Sequence, residues 1–166
     1  MALPPPTIYD PAQHAHLLPS FAALHIACVL TDHTIATFLP PFTSSLFTPF
    51  PPDARVLSWW EKRSAEVTAG TRAILMQLAP SADGKSEVLA GFVMLAMDRG
   101  ETGPYRGEVE KLLVHPNFRQ MGMARRVMEL LETVAKKGGT WLLVSNLVVE
   151  EKPRAEDLLR MPETRY

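Results

Sequence analysis

The chain has 166 residues, 46% of them hydrophobic and 21% charged, with a formal net charge of −1; this is the composition of one ordinary globular domain and argues against disorder throughout. A net charge so close to zero leaves no electrostatic footprint for nucleic acid, and a single cysteine, Cys28, excludes an intramolecular disulfide framework and fits a reducing, cytoplasmic setting. No charged leader precedes an apolar signal core, and no apolar run reaches the roughly 18 residues that a membrane span needs, so no membrane association is expected.

The first eleven residues are proline-rich. Pro4-Pro5-Pro6 should be extended, and Thr7-Ile8-Tyr9 reads as a short first strand. After Pro19, with Ser20 as cap, Phe21, Leu24, Ala27, Cys28 and Thr31 follow helical spacing and predict a helix over 20–31. His14, His16, His25 and His33 tempt a metal reading, but no carboxylate or cysteine spacing converges with them, and no metal is assigned. From Pro40 to Pro52, prolines alternate with phenylalanines; regular structure is excluded, yet the run is too apolar for a solvated linker, and a packed loop is expected. Asp53 can cap a helix running to about Ala69 and stopped by Gly70, with Trp59 and Trp60 as core and rim aromatics.

Ala73 to Leu78 then reads as a strand, and the Asp83-Gly84 turn leads into Val88 to Met97, a nearly continuous apolar run that belongs at the centre of a sheet. Tyr105 to Val114 returns as a third strand, completing an antiparallel meander, and Trp141 to Val144 follows the next helix as a parallel strand. Helices before and after a meander give an α/β or α+β class with a mixed, mostly antiparallel sheet flanked by helices.

The junction after Val114 carries the chemistry. Pro116 and Asn117 break the strand, and from Ala124 the residues Val127, Met128, Leu131, Val134 and Ala135 form one buried helical stripe, ended by Gly138 and Gly139. Arg119, Arg125 and Arg126 crowd the positive end of this helix dipole, where acidic residues would be favoured, so an anion is expected to compensate. Free first-turn N–H groups, with Gly122 allowing close approach, make a phosphate cradle. Any one of these arginines taken alone reads equally well as a solvated charge, Arg126 most of all.

Arg119-Gln120-Met121-Gly122-Met123-Ala124, set between Leu-Leu-Val-His-Pro and an amphipathic helix, resembles the R/Q-x-x-G-x-G/A signature of the GNAT superfamily of N-acetyltransferases. The resemblance covers roughly Thr7 to Val144 and is most specific from Glu108 onward. It implies acetyl-CoA as co-substrate: loop amides over Arg119, Gln120, Met121, Gly122, Met123, Ala124 and Arg125 would bind the pyrophosphate, and Leu112, Leu113 and Val114 would run beside the pantetheine arm. It also implies that the Pro40–Pro52 region borders the acceptor site. The acceptor, by likeness to small-molecule acetyltransferases of the tabtoxin-resistance type, would be a primary amine of a small molecule, acetylated by direct transfer in a ternary complex.

Direct transfer needs a group to take the amine's proton. Glu108 and Glu110 are the candidates, alternating with Leu112 and Val114 on one strand face, and the resemblance places a base near Glu108. An exposed Glu–Lys face is the blander reading. After Val144 the likeness departs: Ala155-Glu156-Asp157-Leu158-Leu159 only faintly resembles the family's Ala-Glu-x-x-Tyr helix, with Leu159 where the tyrosine would stand, and the closing strands have no counterpart. The expected organisation is therefore an acetyltransferase domain over 1–144 and an atypical tail over 145–166. Val144-Ser145 can be encoded by a splice-donor sequence, so a retained intron or faulty gene model would explain the tail. A sheet lacking its last strands exposes an edge that invites pairing of two chains into a homodimer. Loose packing of the tail and weak or absent activity are expected, and the contrary reading is a CoA-binding or protein-interaction module without turnover.

Overall fold

The computed structural model describes residues 3–32, 37–38, 42, 53–81, 83–97, 100 and 105–145. The elements follow in the order β1 (Thr7–Ile8), α1 (Pro11–His14), a 3-10 turn (Ala15–Leu17), α2 (Leu18–Asp32), α3 (Ala54–Thr68), β2 (Arg72–Pro80), β3 (Glu87–Met97), β4 (Arg106–Val114), a second 3-10 turn (Pro116–Phe118), α4 (Met123–Lys137) and β5 (Leu142–Ser145). They build a five-stranded sheet in the order β1-β2-β3-β4-β5. Every neighbouring pair is antiparallel except β4 and β5, which are parallel, with α4 as the crossover that parallel neighbours need. The expected mixed sheet flanked by helices is thus observed, with the apolar β3 at its centre.

Period-two alternation along β2 and β3 divides the core into layers. Ile74, Met76, Phe92 and Met94 pack with Phe21, Trp60 and the other buried residues of α2 and α3 on one face. Ala73, Leu75, Val93 and Leu95 meet Val127, Leu131 and Ala135 of α4 on the other. Full burial of a side chain the size of Val127 or Leu131 is worth about 1.5–3 kcal/mol, so this stripe fixes how α4 lies on the sheet. Asp53 caps α3 as expected, accepting from the Arg55 N–H at 2.9 Å.

Some expectations need correction. The first long helix begins at Leu18 rather than Ser20, because the turns from Pro11 run straight into it. Pro19 is tolerated in the opening turn because its missing N–H has no intrahelical partner to lose. The helical stretch Pro11–Asp32, 22 residues, does reach the length and apolarity of a membrane span. Its Phe21, Ala22, Leu24, Ile26, Cys28 and Val29, however, are buried in the protein as a core helix would bury them. Apart from Thr37, Phe38 and Phe42, the region around the proline-rich loop lies outside the described residues, as does the tail from Asn146 onward, while Ser145 ends β5.

The strand face assigned to the glutamates is also corrected. In the β3–β4 ladder Phe92 faces Leu113 and Met94 faces Glu110, so Lys111 and Leu112 together stand opposite Val93. Lys111 takes φ 52°, a left-handed conformation uncommon for a non-glycine residue. The extra residue reverses the alternation. Glu108 and Glu110 therefore share the α2/α3 side of the sheet with Leu113, and not with Leu112 and Val114.

Glu110 is anchored there by a charge network spanning three elements. Arg72, only 7% exposed, reaches over Met94 to Glu110 Oε2 at 2.5 Å and to Glu66 Oε2 at 2.6 Å, and Glu66 also holds Arg63 at 2.6 Å. Removing the buried guanidinium strands two carboxylates, each about a third exposed. Arg72→Leu is expected to lower stability by roughly 2–4 kcal/mol in urea unfolding, below the full figure for a wholly buried pair because water still reaches the glutamates. A loss within about 0.5 kcal/mol would show that the network carries no net stability.

Candidate active site

The segment between β4 and α4 is shaped by short-range hydrogen bonds and two left-handed residues. His115 continues the ladder by donating its N–H to Ala90 O at 2.9 Å. Its Nδ1 then accepts from the Asn117 N–H at 3.2 Å and so caps the 3-10 turn. Gln120 at φ 63° and Gly122 at φ 75° swing the chain into α4. Gly122 is the N-cap and offers no side-chain acceptor, and no acidic residue occupies the first turn. The N–H groups of Gly122, Met123, Ala124 and Arg125 consequently meet no acceptor among the described residues. A Cβ on Gly122 would touch nothing within 4 Å, so glycine here serves the backbone conformation and the approach of something from outside, not internal packing.

This cradle opens into a cavity of about 530 Å³ that takes in Leu112, Leu113, Val114, Arg119, Gln120, Gly122, Met123, Ala124 and Arg125. Met121 is 51% exposed and stands outside that lining. Cys28 and Asp32 of α2 complete the wall, and sequence reasoning missed both. No local pattern could have revealed them, since the bonds that bring them in join residues 86 to 91 positions apart.

The arginines divide their roles. Arg119 grips Asp32 through two contacts of 2.7 Å, and its Nε donates to Val114 O at 3.3 Å, fastening the loop to α2 and β4. The Cys28 thiol also donates to Val114 O at 3.4 Å, and burial pushes its pKa up, keeping it protonated. Arg125 is 84% exposed, with only Glu129 beside it at 2.8 Å. Arg126 is not the solvated charge expected: it bonds Gln77 Oε1 at 3.0 Å and Pro4 O at 2.7 Å, tying α4 to the N-terminal segment.

A second cleft, about 910 Å³, lies along β4 where β5 falls away from it. The strands pair only from Arg106 to Val109, so beyond Val109 the outer edge of β4 has no strand partner among the described residues. Glu108, Glu110, Lys111 and Leu112 line this cleft, with Trp59 and Arg63 from α3 opposite, and Leu112 borders both cavities. The structure thus brings both glutamates and the open start of α4 onto one strand and its continuation. Among the described residues, no group of His, Cys, Asp or Glu is arranged to hold a metal ion.

The acetyltransferase (GNAT) family model matches residues 37–160. The chain belongs to the GNAT acetyltransferase family. Its fold is shared with a putative acetyltransferase, yncA, of Salmonella typhimurium solved with its cofactor acetyl-CoA (TM-score 0.54, 21% identity, 86% of this chain and 69% of that one). It is shared also with glucosamine-6-phosphate N-acetyltransferase of Arabidopsis thaliana (0.53, 14%, 98% and 96%). A putative GNAT acetyltransferase of Staphylococcus aureus is similar in the same way (0.56, 15%, 84% and 97%). No curated protein matches the chain in sequence. GNAT membership implies acetyl transfer from acetyl-CoA, and the unfilled first-turn N–H groups here are the donor set a diphosphate requires.

Two tests follow from this GNAT loop. Burial, and secondarily Arg119, holds the His115 imidazole below the ordinary histidine value of about 6.5. The fold therefore prefers neutral His115, in keeping with Nδ1 acting as acceptor, and its contribution is complete above about pH 6.5 and is lost as pH falls through the lower folded value. His115→Asn keeps a capping side chain without the titration, so its Tm should fall less than the wild type's between pH 7.5 and 5.5. Equal falls would remove His115 from the account. Separately, Arg119→Met leaves the Asp32 carboxylate facing the anion cradle, so CoA affinity should drop about tenfold or more in calorimetry. Adding Asp32→Asn should restore most of it. An unrecovered double variant would mean that Arg119 contacts the ligand itself.

Proposed function

We propose that this protein moves the acetyl group of acetyl-CoA to the primary amine of a small molecule, by direct attack within a ternary complex, as the tabtoxin-resistance type resemblance suggests. The observation that carries the reading is the continuity of β4: among the described residues, one strand has no partner on its outer edge along the second cleft and leads into a helix start whose N–H groups meet no acceptor. A diphosphate held at Gly122 to Arg125, with main-chain groups of Leu112, Leu113 and Val114 beside the pantetheine arm, sets the thioester near the bulge. The amine nitrogen attacks the thioester carbonyl carbon, a C–N bond forms as the C–S bond breaks, and the products are an amide and CoA thiol.

Glu108 is assigned the amine's proton, directly or through one water. Glu110 is the weaker candidate, because its carboxylate is already engaged by the Arg72 guanidinium at 2.5 Å. A cytoplasmic setting, consistent with the buried free Cys28, belongs to the same reading. So does pairing of two chains along β5, beside which Trp141 and Leu142 are exposed.

The experiment is CoA release over a panel of primary amines, with acetyl-CoA binding followed by calorimetry. Glu108→Gln should leave acetyl-CoA affinity within about twofold and lower kcat on the order of 10²-fold, the usual share of a general base. Unchanged kcat across pH would exclude Glu108 as the base. Acetyl-CoA binding without turnover on any amine would favour a binding module instead, and loss of both would sink the cradle as a nucleotide site.

A further inference from the structure

The cleft along β4 is charged, and nearly every charge in it is already matched. Glu110 is taken by Arg72, Glu66 joins Arg72 and Arg63, and Glu132 at the rim lies 4.0 Å from Lys136. Arg63 is held in the wall, with its guanidinium 4.9 Å from the Trp59 ring centre. Lys111 is the exception. It lines the cleft, is only partly exposed, and has no carboxylate within ion-pair distance among the described residues.

Its setting is costly in two ways. The backbone at φ 52° carries strain of about 1–3 kcal/mol for a residue with a side chain, where asparagine or glycine would be easier. Burial also disfavours the ammonium, lowering its pKa, and Arg72 and Arg63 push in the same direction against Glu110. A lysine that served only solubility would need neither condition. Strain and a half-desolvated, unmatched cation together mark a position waiting for an anion.

We propose that Lys111 is the specificity-determining residue of the acceptor cleft and binds an anionic group on the acceptor, so that the substrate is an amine bearing a carboxylate or a phosphate. This rests on the acetyl-transfer reading above. Lys111 follows Glu108 by three residues on the bulged strand, so a short bifunctional molecule can present its amine toward Glu108 while its anion meets the ammonium. A diamine would instead place a second positive charge beside Lys111 and Arg63.

The test measures CoA release at saturating acetyl-CoA with butylamine, 1,4-diaminobutane, 4-aminobutyrate and 2-aminoethyl phosphate, all short primary amines. The two anionic amines should exceed the other two in kcat/KM by about tenfold or more, and the better of the pair identifies carboxylate or phosphate. In Lys111→Met the ratio of kcat/KM for the preferred anionic amine over butylamine should collapse about tenfold through KM, while Lys111→Arg retains it. Lys111→Asn, whose side chain suits the left-handed backbone, guards against misfolding and should collapse the ratio likewise. Preference for butylamine or the diamine, or an intact ratio in both neutral variants, overturns the proposal and leaves acetyl transfer standing. Should no amine be acetylated while acetyl-CoA binds, the transfer reading fails. Calorimetric titration of the two anionic amines into CoA-saturated protein then decides: binding lost in Lys111→Met upholds the anchor, and no binding to the wild type overturns it.

Discussion

Backbone N–H groups at a helix start must find acceptors, and at α4 the described residues supply none. A serine or aspartate at position 122 could offer a side-chain acceptor to one of them, worth roughly a few tenths of a kcal/mol over glycine, yet glycine stands there in a left-handed conformation. Everything around the loop keeps that vacancy open. His115 caps the preceding turn rather than the helix, and Arg119 is drawn sideways to Asp32. The buried stripe of α4 then presses the helix onto the sheet so that its first turn cannot withdraw. Local stability is forgone at one cap, and a row of N–H groups open to an acceptor from outside is the result.

The distribution of positive charge around the cradle is more economical than a cluster of arginines suggests. Arg119 arrives with its own counterion, Arg126 turns to main-chain and amide acceptors, and only Arg125 is left largely in water. Attraction for a phosphate here therefore comes chiefly from oriented N–H groups and the helix dipole, short-ranged terms that act within a turn, and less from net charge. This agrees with a chain whose overall charge is close to zero.

What could be read from the sequence was whatever the chain writes locally. The apolar stripe Val127 to Ala135, the glycine at 122, the Asp53 cap and the central apolar strand each follow from spacing over a few residues, and each appears in the fold. The family signature belongs to the same class of signal, because it is a loop read in order. Asp32, Glu110 and Pro4, the distant partners of Arg119, Arg72 and Arg126, lie 87, 38 and 122 positions away, and nothing in their neighbourhoods announces them. The bulge at Lys111 was hidden for another reason: a strand written Glu-Val-Glu-Lys-Leu-Leu-Val alternates plausibly with or without an extra residue, and only the register with β3 decides. That single residue moved both glutamates away from the face first assigned to them.

The contact of Arg126 with Pro4 has a temporal meaning. Closing a loop across 122 positions carries an entropy of about 4 kcal/mol, against about 1 kcal/mol for the neighbouring Arg125–Glu129 pair four residues apart. Helices and the β2–β3 hairpin can therefore form while the chain is still emerging, whereas this tie, which holds the opening of α4 to the segment before β1, must wait for α4. The segment before β1 is held by β2 through Gln77 Nε2 and Pro4 O at 2.8 Å, and is fastened a second time when α4 arrives. The opening of α4, and with it the cradle, is thereby joined to a segment 122 positions earlier in the chain.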